Sequence, residues 1–183
     1  MTRDAILEAT ARIMESGSPR DLTTNRIAEV AGVSPGTLYQ YFGDMSAVVT
    51  ALIDAQVTRN VRALSDIDAD LDATARFEGA LSGLVRSIQA RPVLSAKLML
   101  TEPLYALNGR TTPEINAQLR AFTGLIGAHL GLPHADVGLA KKTMSVAKGL
   151  LLEAALRGAV AEADLPKQIV ETVMAFLELH RPD

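Results

Sequence analysis

The apolar residues of this chain recur at intervals of three and four along most of its length. That spacing places them on one face of an α-helix, so the pattern predicts an all-α protein of about nine helices. A unit of three N-terminal helices precedes a larger helical unit in this prediction. Apart from two short helices within 23–42, the apolar runs place helices at about 4–16, 44–64, 73–90, 92–107, 113–131, 135–161 and 165–180.

Two short helices near the N-terminus carry their own start and stop signals, in the stretch TTNRIAEVAGVSPGTLYQYF. The hydroxyl of Thr23 or Thr24 is suited to cap the first helix, and Gly32 follows where a helix ends in a residue that tolerates positive φ. Ser34 is suited to cap the second helix, whose first position holds Pro35, a residue without a backbone donor. Two helices joined by a glycine-containing turn indicate a helix-turn-helix.

The second of these helices presents small and polar side chains outward once Leu38 and Phe42 face the core. Hydroxyl groups on such a surface donate to phosphate oxygens, which fixes register without reading sequence. The amide of Gln40 is suited to the N6/N7 edge of adenine in the major groove. We interpret this surface as one that lies on DNA; the alternative is an ordinary helical hairpin whose tyrosines pack on a core. The outward residues are Pro35, Gly36, Thr37, Tyr39, Gln40 and Tyr41.

The segment AGVSPGTLYQYF, with Thr24, Ile27 and Ala28 ahead of it, resembles the DNA-binding region of the tetracycline-repressor (TetR) family of bacterial transcription regulators. The resemblance covers about residues 4–53. One position departs from the family pattern, because Met45 stands where the family commonly has a lysine that touches phosphate. The DNA-contacting residues that the resemblance implies are Thr24, Asn25, Arg26, Ser34, Pro35, Gly36, Thr37, Tyr39, Gln40 and Tyr41.

The same resemblance implies two domains. Residues 1–45 would form the helix-turn-helix domain that binds DNA, and residues 46–183 a helical domain for ligand binding and dimerisation. The helix predicted at about 44–64 would belong to both cores, so a shift in one domain would be felt in the other. That is the physical content of an allosteric response to a small-molecule effector.

The last two predicted helices are apolar over more than one face. A helix of that kind is buried on several sides, so we expect a four-helix interface in a symmetric homodimer. The helices in question span about 135–161 and 165–180, and small residues such as Gly149 and Gly158 would allow close approach. The alternative is that they form the central core of a monomer.

The middle helices combine flexible apolar side chains with a few polar groups, as ligand pockets do. The low aromatic content of 4% favours an aliphatic or small polar ligand over one held by ring stacking. The alternative is that these side chains are plain core. The candidate pocket residues are Phe77, Leu81, Met99, Glu102, Tyr105, Phe122 and Met144.

Charge and composition narrow the function classes. The net charge is −3, and the first 50 residues hold four arginines and no lysine against six acidic residues. Few phosphates would therefore be neutralised, which predicts modest non-specific DNA affinity and a shallow salt dependence. With no cysteine in the chain, disulfides, thiolate metal sites and cysteine nucleophiles are excluded.

No catalytic or cofactor motif stands out. His129 and His134 are five residues apart, which is not the spacing of a helical metal pair, and no hydrolase, nucleotide or dinucleotide signature occurs. We therefore expect no enzyme activity, no cofactor and no metal. No uncharged apolar run approaches the ~18 residues of a membrane span, and the N-terminus lacks the features of a signal peptide, so we expect a cytoplasmic protein.

These observations lead to one functional expectation and one alternative. We expect a ligand-responsive, DNA-binding transcriptional regulator that acts as a homodimer, a repressor released from a palindromic operator by a small-molecule effector. The alternative is a helical protein-interaction module of the same fold that has lost DNA affinity. Met45 and the acidic N-terminal region favour that alternative.

Overall fold

The structure is a computed structural model that describes residues 2–17, 21–68, 70–106, 112–132 and 136–180, with the side chains of 102–106 left out. Within those ranges it consists of nine helices and no strands, which confirms the predicted all-α fold. The helices are α1 Thr2–Ser16, α2 Thr24–Ala31, α3 Pro35–Tyr41, α4 Met45–Ser65, α5 Ala73–Gln89, α6 Pro92–Ala106, α7 Pro113–Leu130, α8 Val137–Arg157 and α9 Leu165–Leu179.

The end of α8 differs from the sequence prediction, which extended this helix to residue 161. The helix ends at Arg157 because Gly158 adopts a left-handed conformation, with φ of 72°. Only glycine adopts this conformation without a steric penalty, and its N–H bonds back to the carbonyl groups of Ala154 and Ala155. Gly158 therefore terminates the helix, and its role in close helix approach stays a prediction.

The buried side chains form two cores. The first core unites α1, α2 and α3 with the N-terminal half of α4, and it also takes in Leu94 and Leu98 of α6. The second core is built from α5, α7, α8 and α9, with Leu64 from the end of α4. Helix α4 thus contributes to both cores, as the family resemblance implies, while the participation of α6 in the first core is a finding of the structure.

Polar contacts reinforce the packing of α6 against α1. Arg91, just before α6, places its guanidinium 2.9 Å from a carboxylate oxygen of Glu8 and 2.6 Å from one of Glu15. Burial works against the ionisation of Glu8, but hydrogen bonds from Arg91 and Arg12 outweigh it and lower the Glu8 pKa. Charge-assisted bonds of this kind are among the stronger polar contacts in proteins.

Lys97 makes a second link between α6 and α1. Its ammonium group donates to the carbonyl of Met14 and, at 2.9 Å, to that of Gly17. These carbonyl groups lie at the C-terminal end of α1, where a helix leaves acceptors unpaired and favours a positive charge. The N-terminal helices are therefore held by α6 as well as by α4.

Candidate nucleic-acid interface and ligand cavity

Local hydrogen bonds fix the start and the orientation of α3. The Ser34 hydroxyl oxygen accepts from the backbone N–H of Thr37 at 3.0 Å and lies 2.9 Å from the Thr37 hydroxyl. Gly32 ends the preceding helix with φ of 68°. On its inner side α3 buries Leu38 completely and is followed by buried Phe42. Both capping predictions and the inward-facing pair are confirmed.

Helix α2 is capped in the same manner and is tied to α3 through a side chain. Thr23 accepts from the backbone N–H of Arg26 at 3.2 Å, which makes Thr23 the cap. The neighbouring Thr24 hydroxyl accepts from the phenol of Tyr39 at 3.3 Å. The N-terminus of α2 and the outer side of α3 therefore present their hydroxyl groups together.

The outer side of α3 is open to solvent. Tyr39 and Tyr41 are 52% and 49% exposed, values that do not agree with tyrosines packed on the core of a helical hairpin. Of the residues predicted to contact DNA, Thr24 and Thr37 are half-buried and the others are exposed. The exposed ones are Asn25, Arg26, Ser34, Pro35, Gly36, Tyr39, Gln40 and Tyr41.

Gly36 leaves space at the start of this surface. A methyl group built on its Cα would meet only the Ser34 hydroxyl oxygen, at 3.7 Å, which is an ordinary contact distance. The fold therefore does not require glycine here. What glycine provides is a surface that another molecule can approach closely.

The charges near α3 are largely engaged within the protein. Arg26 lies 2.8 Å from a carboxylate oxygen of Glu29, and this hydrogen-bonded pair raises the Arg26 pKa. Arg3 lies within helix α1 and stacks over the Phe42 ring, with its guanidinium carbon 5.4 Å from the ring centre. Met45 is half-buried and packs on the first core. The exposed groups that α3 offers are thus mainly neutral hydroxyls and amides.

A cavity of about 150 Å³ lies between the two cores. Three of the side chains predicted for a pocket line it, namely Met99, Phe122 and Met144. Phe77 and Leu81 do not line it; both are buried within the second core, where the Phe77 ring packs against Phe122 and His129 instead. The side chains of Glu102 and Tyr105 lie outside the described residues.

Sequence reasoning missed the polar side of this cavity. Gln56 and Asn60 of α4 line it and are each only 8% exposed. The Gln56 amide nitrogen donates to the Asn60 oxygen at 3.0 Å, and Arg59 donates to the Gln56 oxygen at 2.7 Å. The available signal was two amides four residues apart within the apolar stripe of α4, a spacing that places both on one helix face.

Two kinds of site are absent from the described residues. Across those ranges, none of the helices combines the length and apolar content that a bilayer span requires. Nor do the described histidine, aspartate and glutamate side chains gather in groups of three or more that could hold a metal ion. His129, a histidine considered above, stacks on Phe77 with ring centres 5.4 Å apart and lies 3.1 Å from the Thr74 hydroxyl.

Sequence comparisons place the N-terminal region among known regulators. Residues 6–52 match the sequence model of the bacterial regulatory proteins of the tetR family. Two curated relatives, both uncharacterized HTH-type transcriptional regulators from strains of Mycobacterium tuberculosis, are 30% identical over 104 residues. That match covers 56% of this chain and 52% of each relative, so the aligned segment spans about half the length of these relatives.

Solved structures share the fold over nearly the whole chain. A fatty acid degradation regulator, FadR from Bacillus halodurans, aligns with a TM-score of 0.73 at 19% identity. The alignment covers 96% of this chain and 93% of the FadR chain. A TetR transcriptional regulator from Rhodococcus sp. RHA1 aligns with a TM-score of 0.69 at 20% identity. The alignment covers 96% of this chain and 95% of the Rhodococcus chain. BioQ, solved with its double-stranded DNA operator, aligns with a TM-score of 0.69 at 19% identity, and the alignment covers 96% of each chain. Identities this low describe the fold alone.

Proposed function

We propose that this chain, which belongs to the tetR family of bacterial regulatory proteins through residues 6–52, is a transcriptional regulator that a small-molecule effector releases from DNA. The observation that carries the proposal is the capped, solvent-exposed surface of α3, whose groups suit a duplex. A regulator of this type acts as a repressor when its operator overlaps the promoter. The proposed operator is a near-palindrome, because a symmetric dimer presents the same surface twice.

Within this proposal the side chains of α2 and α3 divide into two roles. Gln40 and Thr37 face base edges, where an amide pairs well with adenine. Thr24, Tyr39 and Tyr41 contact phosphate oxygens with their hydroxyl groups, and these contacts fix the register of the helix on the duplex. Asn25, Arg26, Ser34, Pro35 and Gly36 complete the surface on either side.

The proposed dimer forms through α8 and α9. Both helices keep apolar side chains at the surface of the single chain: Leu156 is 69% exposed and Leu179 is 83% exposed. Half-buried Val170, Met174 and Phe176 extend the apolar surface of α9. A symmetric pairing of these helices would place two copies of α3 in successive major grooves, roughly 34–36 Å apart or somewhat more.

The effector site in this proposal is the cavity between the two cores. Its lining includes Ile53 and Val57 of α4, which belong to the first core, together with residues of the second core. A bound molecule changes DNA affinity only if it binds the DNA-competent and the released conformations unequally. A cavity lined by both cores meets that condition whenever the cores shift relative to each other.

The test of DNA binding uses Gly36 because the fold leaves it free. We expect Gly36→Leu to keep its helical circular dichroism and to lose at least about tenfold in affinity for DNA from upstream of its own gene, since the side chain would prevent close approach. The matched control is Gly124→Leu in α7, another exposed helical glycine, where an added Cβ meets nothing within 4 Å. Unchanged binding by a folded Gly36→Leu variant would refute the proposed contact surface.

Two further variants separate the proposed roles. We expect Tyr41→Phe to weaken binding to operator and random DNA alike, because a phosphate contact carries no sequence information. We expect Gln40→Ala to lose about 1–3 kcal/mol of discrimination between matched and mismatched sites. Fluorescence anisotropy with both DNA types measures each effect, and equal losses of specificity in the two variants would refute the assignment.

One second function has an observation in its favour. Met45 packs on the first core where the family commonly has a lysine, and Arg26 pairs with Glu29, so few cations among the described residues near α3 remain for phosphate. A helical protein-interaction module without DNA affinity would have these properties. Gel shifts with the upstream DNA at low salt distinguish the two functions, since a complete absence of binding would favour the interaction module.

A further inference from the structure

We propose that the cavity between the two cores binds a compact, mainly aliphatic molecule whose polar end accepts hydrogen bonds, and that Asn60 and Gln56 of α4 bind that end. The inference rests on the proposed function and names the chemical class of its effector. Its support comes from the size of the cavity, the orientation of the two amides and the charges around them.

The size and walls of the cavity set the body of the ligand. A volume of about 150 Å³ is similar to that of an engineered apolar cavity that takes benzene, so the ligand is small. Most of the walls are aliphatic, and Met99 and Met144 are flexible enough to adapt to its shape. The aliphatic wall residues include Ile53, Val57, Leu84, Ile88, Leu98 and Leu151.

Arg59 determines which way both amides point. A guanidinium group has donors only, so the Gln56 atom that lies 2.7 Å from Arg59 is the amide oxygen. The Gln56 nitrogen is then the atom that faces Asn60, and it donates to the Asn60 oxygen at 3.0 Å. The Asn60 nitrogen carries two N–H donors, which no acceptor among the described residues uses. The Asn60 end of the cavity therefore offers donors, while the amide of Gln118, which also lines the cavity, can donate or accept.

The charges near the amides favour the same ligand class. Among the described residues that line the cavity, none is a carboxylate. Arg59 lies close by with an exposed side chain, and partial desolvation together with the charge of Arg91 lowers its pKa. Positive charge is therefore already present beside the Gln56 amide. Beside Arg59 an ammonium ligand would meet like charge, whereas a carbonyl or carboxylate oxygen would meet the N–H donors of Asn60.

Such a ligand would contact both cores at once. Ile53, Val57 and Leu98 belong to the first core, while Leu84 and Phe122 belong to the second. The amides that bind its polar end lie on α4, where Gln56 and Asn60 follow Leu52 of the first core by about one and two helical turns. Occupancy is therefore sensed by the helix that carries the N-terminal unit.

The experiment compares probes of equal chain length with different polar ends. The full-length protein is titrated with 2-hexanone, hexanoate and hexylammonium by calorimetry and thermal shift. We expect at least one of the two acceptor probes to bind about tenfold more tightly than hexylammonium, which is the effect of about one well-placed hydrogen bond. The ketone and the carboxylate separate a neutral acceptor from an anionic one. Equal binding of hexylammonium, or no binding by any probe, would overturn the inference.

Variants of Asn60 test the residue assignment. Asn60→Leu should lose about tenfold in affinity for the preferred acceptor probe, and Asn60→Asp should reverse the preference toward hexylammonium because it replaces donors with a carboxylate. The control is Asn116→Leu, the same exchange at an exposed position of α7 outside the cavity. Retained acceptor preference in a folded Asn60→Asp variant would contradict the proposal.

DNA binding without any probe keeps this inference separate from the proposed function. If acceptor probes bind as expected but leave DNA affinity unchanged, the ligand class stands and the effector role fails. If the protein binds its upstream DNA and no acceptor probe binds, the inference fails while the DNA-binding function stands.

Discussion

The surface of α3 and the cavity between the cores are built in opposite ways. Helix α3 spans only Pro35–Tyr41, and its start is fixed by Ser34, its immediate neighbour. The cavity gathers side chains from Ile53 to Leu151, nearly 100 residues apart in the chain. The first is therefore a rigid surface that local bonds define, and the second is a space whose shape depends on how two cores meet.

The two regions therefore differ in what can change: side-chain positions are fixed on the α3 surface, whereas the shape of the cavity can vary. A surface that must match a duplex benefits from side chains whose positions do not vary, because loss of rotamer freedom on binding costs affinity. A cavity lined by methionines and bounded by two cores changes shape when the cores move. Under the proposed function, the effector is therefore sensed in the cavity, and the α3 surface would change position as a unit.

Two leucines give the largest expected contrast between the regions. Leu38→Ala should destabilise the protein by about 2–5 kcal/mol, since this completely buried side chain anchors α3 and a cavity would remain. Leu84→Ala should cost less, because Leu84 already borders a cavity and has fewer contacts to lose. Urea denaturation gives both values. We expect DNA affinity to fall with Leu38→Ala and to survive Leu84→Ala, and the reverse order would break the comparison.

The N-cap of α3 gives a smaller effect confined to one region. Ser34→Ala should cost about 1 kcal/mol, typical of a lost N-cap, because the N–H of Thr37 loses its acceptor. DNA affinity should fall while affinity for the cavity probes stays the same. The control is Ser145→Ala, which removes a hydrogen bond to the carbonyl of Lys141 on the exposed face of α8. A parallel loss of probe affinity would show that the regions are less independent than proposed.

The ion pairs between α1 and α6 give the smallest expected change in stability. Arg91→Met should cost no more than about 1 kcal/mol because these groups are partly solvated, yet it should weaken the effect of a bound probe on DNA affinity. The measurement is DNA affinity with and without the probe. Arg157→Met, which removes a pair within α8, should leave that coupling intact. Unchanged coupling in Arg91→Met would exclude this route between the regions.

The pH dependence of the Arg91 contribution has a definite sign. The folded-state pKa of Glu8 is lowered from its usual 4.5, so its pairing stabilises the protein above that value and is lost as the pH falls through the lowered pKa. The stability difference between wild type and Arg91→Met should therefore shrink below about pH 4. Thermal unfolding at several pH values checks this, and a difference that grew toward acid would contradict the assignment.

Much of the first region could be predicted from the sequence alone. The bounds of α2 and α3 follow from their capping residues, because caps and positive φ values depend on atoms within three or four residues. These residues are Thr23, Gly32, Ser34 and Pro35. The inward positions of Leu38 and Phe42 follow from helical periodicity for the same reason. The early end of α8 at Gly158 rests on the same local rule, although the apolar run beyond it concealed the signal.

The tertiary structure alone decided which helix faces pack against each other. Arg91 pairs with Glu15 and Glu8 from 76 and 83 positions away, and Leu98 joins a core that its own pattern does not specify. The pocket predicted from the sequence included Phe77 and omitted Gln56. An apolar stripe indicates that a helix face is buried, but it does not indicate what packs against that face. Periodicity acts within one helix, whereas the cavity exists only where several helices pack together.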